Sequence, residues 1–559
     1  MPLSSRSSPH RYSQLCTKLS SPFRRASQAG LKPLLQFAAA VAVLAVLAPI
    51  VVVVISWGSD QTEIWQHLIA TQLSDLLRNT FVLLLGVGLL VSLLGVSLAW
   101  LVVMCEFPGR ARFEWLLMLP MAVPAYVLAF VVLGLFDFSG PLQQFLTARF
   151  GWPLLDVRHE ITVITVLALV LYPYVYMLAR SAFLAQSSDT IEAARSLGAS
   201  SWGAFFRVAL PMARPAIIAG ISLALMETLA DFGTVAIFNY DTFTTAIYKA
   251  WFGFFSLQAA AQLASLLLFF VALTLIGEKR LRGKRRFVQG GKLHHHYRSP
   301  LPKTAAWMVS AYCTLVLTLA FFLPVGQMLI WAWELGAAQL DERFLALLWH
   351  SLWLALQAAL ITVALATLLA FSRWRASNRQ RAFFDLAQLG YALPGSVLAV
   401  GIVISFTALE KGVLFPLQSL LGMEPRSVLV GTVFVLLAAY WIRFLAVASG
   451  PIDASLLRIR PSIPDAARTL GARPPELLWR IYLPMLRPGL LTAAILVFVD
   501  VIKEMPATLL LRPYGWDTLA VRIYEMTSEG EWQRAALPAI TIVLLGLAPV
   551  IISIKRTVR

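Results

Sequence analysis

Apolar residues run along the chain in long stretches separated by short polar or basic segments. Twelve such stretches can be marked, beginning near residues 34, 79, 115, 160, 216, 257, 305, 348, 382, 427, 489 and 534. Each has roughly 17 to 25 residues, enough to cross about 30 Å of hydrocarbon as a helix. The pattern predicts an all-α polytopic membrane protein with about 12 transmembrane helices. Prolines such as Pro120, Pro124 and Pro173 fall inside these stretches, where membrane helices tolerate them by repacking against neighbours.

Composition agrees. The 559 residues are 59% hydrophobic and 13% charged, with a mean hydropathy of +0.74, whereas soluble domains are usually about 45–50% apolar. A net charge of +17 raises the question of nucleic acid, but its distribution answers no. Basic residues cluster at Arg110 and Arg112, along Lys279–Arg286, at Arg373, Arg375, Arg379 and Arg381, and at Lys555, Arg556 and Arg559. Positive residues mark cytoplasmic loops. With the N-terminus inside, every cluster follows an even-numbered span, so both termini are expected in the cytoplasm, with lipid around the spans. The loops assigned outside lean acidic.

Residues 1–33 read as a polar, basic cytoplasmic N-terminus, and the run from Leu34 to Trp57 as an uncleaved first span. Arg24 and Arg25 suit a positive-inside anchor better than a twin-arginine export signal. Cys16, Cys105 and Cys313 have no metal-ligand spacing and no evident disulfide partner. The adjacent His294, His295 and His296 point in different directions and lack a partner ligand, so no stable metal site is expected.

The chain also repeats itself. Asp189–Pro215 and Ser462–Pro488 carry nearly the same text, and an offset of 273 maps Glu192–Pro215 onto Asp465–Pro488 without a gap. A weaker echo relates VPAYVLA at 123–129 to LPGSVLA at 393–399, at an offset of 270. The expected organisation is a first repeat over 34–277, a basic cytoplasmic linker over 278–304 and a second repeat over 305–559. Six spans per half give both halves one orientation, hence two parallel six-helix repeats.

Within each repeated loop an acidic residue three positions into the segment fits a helix N-terminus, Asp189 with Glu192 and Ser462 with Asp465. Gly198 and Gly471 are placed to stop that helix. A second helix is expected near Ser201 or Pro475. Its apolar residues Trp202, Phe205, Phe206, Ala209 and Leu210, matched by Leu478, Trp479, Tyr482 and Leu483, are assigned to one face. A hairpin packed on its own spans is one reading. Keeping the hairpin in both halves suits a partner present twice.

After each loop, the fifth and eleventh spans carry acidic residues: Glu227 and Asp231, repeated as Asp500 and Glu504. Four-residue spacing puts each pair on one helix face, Glu227 near mid-span and Asp231 a turn further out. Intramembrane carboxylates are costly and line aqueous paths or pair with other groups. Lys503 supports pairing, since its first-half counterpart is Ala230. As a path, these hard oxygen ligands suit a hard, highly charged cation, or a large organic one.

EAARSLGA at 192–199 and DAARTLGA at 465–472 resemble the "EAA" loop of permease subunits of binding-protein-dependent ATP-binding-cassette (ABC) importers. The resemblance implies a type I ABC importer permease fold in a bacterial inner membrane. It also implies coupling loops at 189–215 and 462–488 that dock the ATPase through Glu192, Ala193, Gly198, Asp465, Ala466 and Gly471. No G-x-x-x-x-G-K-[ST] phosphate loop occurs, so ATP is expected on a separate ATPase in two copies. No cofactor is expected on this chain, and no enzymatic activity of its own.

The twelve-span layout, with the segments 226–254 and 499–525, is similar to fused permeases of bacterial ferric-iron importers. That similarity implies Fe(III) handed over by a periplasmic binding protein and moved by alternating access. Thiamine and polyamine import permeases are the alternative within the class. A secondary transporter using the same acids as a proton relay is the alternative outside it.

Overall fold

The chain's long apolar runs become helices because the bilayer leaves no other way to satisfy every backbone N–H and C=O within a single segment. A computed structural model describes residues 31–186, 194, 196–198, 200–282, 298–336, 340–374, 376–460 and 462–557. In the first half the long helices are α1 (Leu31–Ile55), α2 (Leu73–Met104), α3 (Ala125–Phe136, carried on by Pro141–Phe150), α4 (Glu160–Leu184), α5 (Leu210–Ala230) and α6 (Leu257–Arg282). The second half has α7 (Lys303–Leu335), α8 (Glu342–Trp374), α9 (Gly395–Leu409), α10 (Val433–Leu457), α11 (Leu483–Lys503) and α12 (Ala536–Thr557). Among the described residues eleven segments are long and apolar enough to cross a membrane, and Ala536–Leu547 of α12 adds a shorter apolar stretch. The molecule is an all-α polytopic membrane protein. Its one β-pairing among the described residues is a parallel contact of Cys105–Glu106 with Ser299–Pro300, which ties the end of α2 to the start of the second half.

Corresponding elements recur at nearly constant spacing. α4 and α10, like α5 and α11, share both boundaries at an offset of 273. So do the short helices Ser201–Ala204 and Pro474–Leu477 and the π-helical turns Phe205–Ala209 and Leu478–Tyr482 that follow them. Each short helix, π-turn and long helix forms one continuous rod from loop to span.

The third and ninth spans start later than hydropathy predicts, at Ala125 and Gly395 rather than near 115 and 382. Pro124 and Pro394 hold extended backbone, with ψ of 146° and 143°. Proline lacks an N–H and biases its predecessor away from helix. The preceding apolar residues instead form 3-10 turns, Leu119–Ala122 and Leu386–Ala392. Because these turns stay apolar, a hydropathy window runs straight across the break.

Ion pairs clasp each turn-bearing segment to the following long helix. Glu114 binds Arg180 and, at 3.5 Å, Arg110. In the second half Arg373 binds Asp453 at 2.8 Å and Asp385 at 3.4 Å.

Candidate functional site: a carboxylate-lined cavity and two loop tips

The carboxylates sit where two long helices stop. α5 ends at Ala230, and Asp231 follows in extended backbone with ψ 129°. Glu227 is therefore in the last turn rather than near the middle of its helix, and Asp231 lies beyond it, not on the same helical face. The reason is local. The Asp231 Oδ1 accepts from the backbone N–H of Thr234 at 3.0 Å and of Val235 at 3.3 Å, while Oδ2 accepts from Thr234 Oγ1 at 2.9 Å. It thus caps the next short helix, Gly233–Ile237.

The second half repeats the device. α11 ends at Lys503, Glu504 is extended with ψ 114°, and its Oε1 accepts from Ala507 N–H at 2.9 Å ahead of the helix Pro506–Leu511. The helices break inside the protein, and the carboxylates satisfy backbone groups that the break would otherwise leave unpaired.

All four carboxylates line one cavity of about 180 Å³, room for several water molecules. Lys503 and Arg443 line it too, as do Tyr126, Tyr174 and Tyr391. The Tyr391 hydroxyl donates to Glu227 Oε1 at 2.9 Å, and the Lys503 ammonium donates to the Met121 carbonyl at 3.0 Å. Both bonds join one half to the other. Arg443 Nε lies 3.4 Å from Glu504 Oε2, with the arginine side chain 11% exposed. Arg443 Nη1 and Tyr126 Oη are buried without a hydrogen-bond partner among the described residues.

Gly395 permits this packing. A Cβ there would lie 2.6 Å from Arg443 Nη1 and 2.7 Å from Glu504 Oε1. Among the described residues no group of three or more His, Cys, Asp or Glu side chains converges closely enough to hold a metal ion. The cavity is therefore a polar, net acidic chamber whose carboxylates are spread over its walls.

Sequence reasoning found the four acids and noted Lys503, but missed Arg443 and the tyrosines. Arg443 left a signal, being a charge in the middle of the apolar run of α10. The tyrosines left none, because an apolar span carries such residues for packing alone.

The repeated loops are described in unequal parts. Glu192 and Ala193, with Asp189, lie outside the described residues, as do the linker histidines. In the second loop a helix spans Ser462–Thr469, with Asp465 and Ala466 exposed. The Asp465 carboxylate pairs with Arg468 at 2.7 Å rather than reaching back to the helix start, because a guanidinium one turn ahead offers a stronger charged partner. Gly198 and Gly471 have φ of +89° and +90°, the left-handed geometry that ends a helix.

The residue before each glycine, Leu197 and Leu470, is 88% exposed in both loops. The expected single apolar face of the second helix is split. Phe205, Ala209 and Tyr482 are buried, whereas Phe206 and Trp479 are 58% and 66% exposed. Each π-turn winds one extra residue into the helix and changes the phase at which side chains emerge.

Comparison with known proteins follows the same lines. The family model described as "Binding-protein-dependent transport system inner membrane component" matches residues 91–282. The Fe(3+)-transport system permease protein FbpB 2 of Haemophilus influenzae is 28% identical over 489 residues, 86% of this chain and 89% of the relative. A putative 2-aminoethylphosphonate transport system permease protein, PhnV of Salmonella typhimurium, is 28% identical over 44% of this chain and 92% of its own length.

A solved bacterial alginate ABC transporter, in complex with its alginate-bound periplasmic protein, aligns at TM-score 0.37 and 17% identity, covering 44% of this chain and 93% of the solved one. The 489-residue match is far longer than either half alone. Residues 91–282 thus carry the inner-membrane permease domain of binding-protein-dependent transport systems, and the chain resembles a ferric-iron permease over most of its length.

Proposed function

We propose that the chain is the permease of an ATP-driven importer that takes Fe(III) from a periplasmic binding protein and releases it into the cytoplasm by alternating access. The observation that carries this reading is the convergence of Glu227, Asp231, Asp500 and Glu504 on one cavity. Hard oxygen donors favour a hard cation, and the name of the Haemophilus relative points to the same cargo. In this reading the chain performs no covalent chemistry.

Two copies of a separate ATPase would dock on the loops at 189–215 and 462–488, from the cytoplasmic side on which both termini also lie. Leu197 and Leu470 support that docking. A large apolar side chain held out at the tip of a short helix suits insertion into a groove of a partner. Glu192, Ala193, Gly198, Asp465, Ala466 and Gly471 would form the rest of the contact. Each rod then carries a push from its loop to the carboxylates at its far end.

Uptake of radioactive iron into proteoliposomes holding the permease, its ATPase and its binding protein tests the cargo. Asp231→Asn with Glu504→Gln is expected to lower ATP-dependent iron uptake at least tenfold while the complex still assembles. Undiminished uptake in that variant removes the carboxylate path. Leu197→Ser with Leu470→Ser is expected to release the ATPase on size-exclusion chromatography. Retention of both ATPase copies at wild-type coupling would sink the docking assignment.

A further inference from the structure

The repeat gives the cavity its carboxylates twice over, Glu227 with Asp500 and Asp231 with Glu504, but supplies Lys503 once, opposite Ala230. Four carboxylates on the walls of one small chamber, too far apart to close on an ion as a ligand set, still give it a negative field that retains a multivalent cation with its water. A transport path must instead bind weakly enough for its cargo to leave.

We infer that Lys503 is a resident counter-cation that keeps this cavity from becoming a permanent metal site, and so sets how fast a multivalent cation leaves it. The inference rests on the cation-import reading above.

The two cations of the cavity differ in freedom. Arg443 is held by Glu504 at 3.4 Å, nearly buried, in a space that only Gly395 leaves open. The Lys503 ammonium uses one of its three donors, on Met121 O at 3.0 Å. Among the described residues it makes no ion pair within 4.0 Å. It ends a flexible four-carbon stem beside the carboxylates without being spent on any one of them.

Its seat is built. On α12, a Cβ at Gly546 would come within 2.9 Å of Lys503 Cε and 2.7 Å of the Ala122 carbonyl, so a bare glycine makes room for the stem. Seated this way with two donors uncommitted, the ammonium can bond the carboxylates as cargo departs and give them up as cargo arrives. A structural lysine would instead be locked to one partner.

The test uses the purified permease–ATPase complex in detergent, titrated with Tb(III), a hard trivalent cation read by its luminescence, alongside iron uptake in proteoliposomes. Lys503→Met keeps the stem and removes the charge. It is expected to tighten Tb(III) binding by roughly tenfold or more, since one nearby unit charge acts through an effective dielectric of about 20, and to slow iron turnover by a similar factor. Lys503→Gln, which keeps a donor for Met121, is expected to match it, and Lys503→Arg to restore weak binding.

Wild-type Tb(III) affinity and turnover in Lys503→Met overturn the inference. So does wild-type behaviour in Lys503→Gln, because the hydrogen bond and not the charge would then be the cause. If the wild-type assembly takes up no iron, the Fe(III) reading fails on its own, and the Tb(III) shift still decides the role of Lys503.

Discussion

At the ends of α5 and α11 the two halves place the same backbone break and the same pair of carboxylates, yet only the second adds cations. Val170 stands where the second half has Arg443, and Ala230 where it has Lys503. Elsewhere one member of a charged pair reverses sign between the halves and finds a partner at a different position. Arg180 meets Glu114, while its counterpart Asp453 meets Arg373. In the helices Phe243–Phe252 and Leu519–Ser528, which match at an offset of 276, Lys249 meets Asp241 at 2.7 Å, while its counterpart Glu525 meets Arg512 at 2.7 Å. A clasp works with either polarity. In the cavity the charges have not been exchanged but added, which marks that site as the one where sign matters.

The sharpest way to break this comparison is to remove the equivalent acids one at a time. Glu504→Ala leaves Arg443 buried without its partner, an arrangement that costs about 3–5 kcal/mol. Asp231→Ala loses hydrogen bonds to two amides and a hydroxyl but strands no cation, at about 1–3 kcal/mol. Thermal unfolding in detergent is expected to rank them in that order, and equal losses would abolish the claimed asymmetry. Next in size is Gly395→Ala, which forces Arg443 and Glu504 apart at about 1–3 kcal/mol. Gly450→Ala, on the same half with nothing within 4 Å of the new methyl, is expected to be neutral or slightly stabilising.

The smallest effect concerns the swapped clasp outside the spans. Burial pushes the Glu525 carboxyl up, but the hydrogen bonds and charges of Arg512 and Arg522 outweigh it and hold it below its ordinary value of 4.5. A depressed folded value contributes stability that is present above the unfolded value and lost as pH falls through the folded one. Mild acidification below about pH 4.5 is expected to loosen the second-half segment, followed by hydrogen exchange. Arg512→Ala is expected to remove that acid-sensitive increment, and an unchanged profile would count against the pairing.

Much of this was legible beforehand, for physical reasons. A bilayer enforces helices, so the spans follow from apolar length. Gly198 and Gly471 were readable as helix stops because few other residues tolerate a φ near +90°. The breaks at Pro124 and Pro394 were hidden by the continuity of apolar composition across them. Those at Asp231 and Glu504 were hidden because a carboxylate four residues after an acid looks like a helical face until its amide partners are known. Tyr391 and Met121 came to the cavity through contacts spanning the two halves, which no local pattern records.

The capping role of Asp231 has a mechanical corollary. Its oxygens are already engaged by Thr234 and Val235, so any pull on them is felt at the start of the helix that follows. Glu504 stands in the same relation to Ala507. A displacement of either carboxylate is thereby passed directly to the backbone at a helix break.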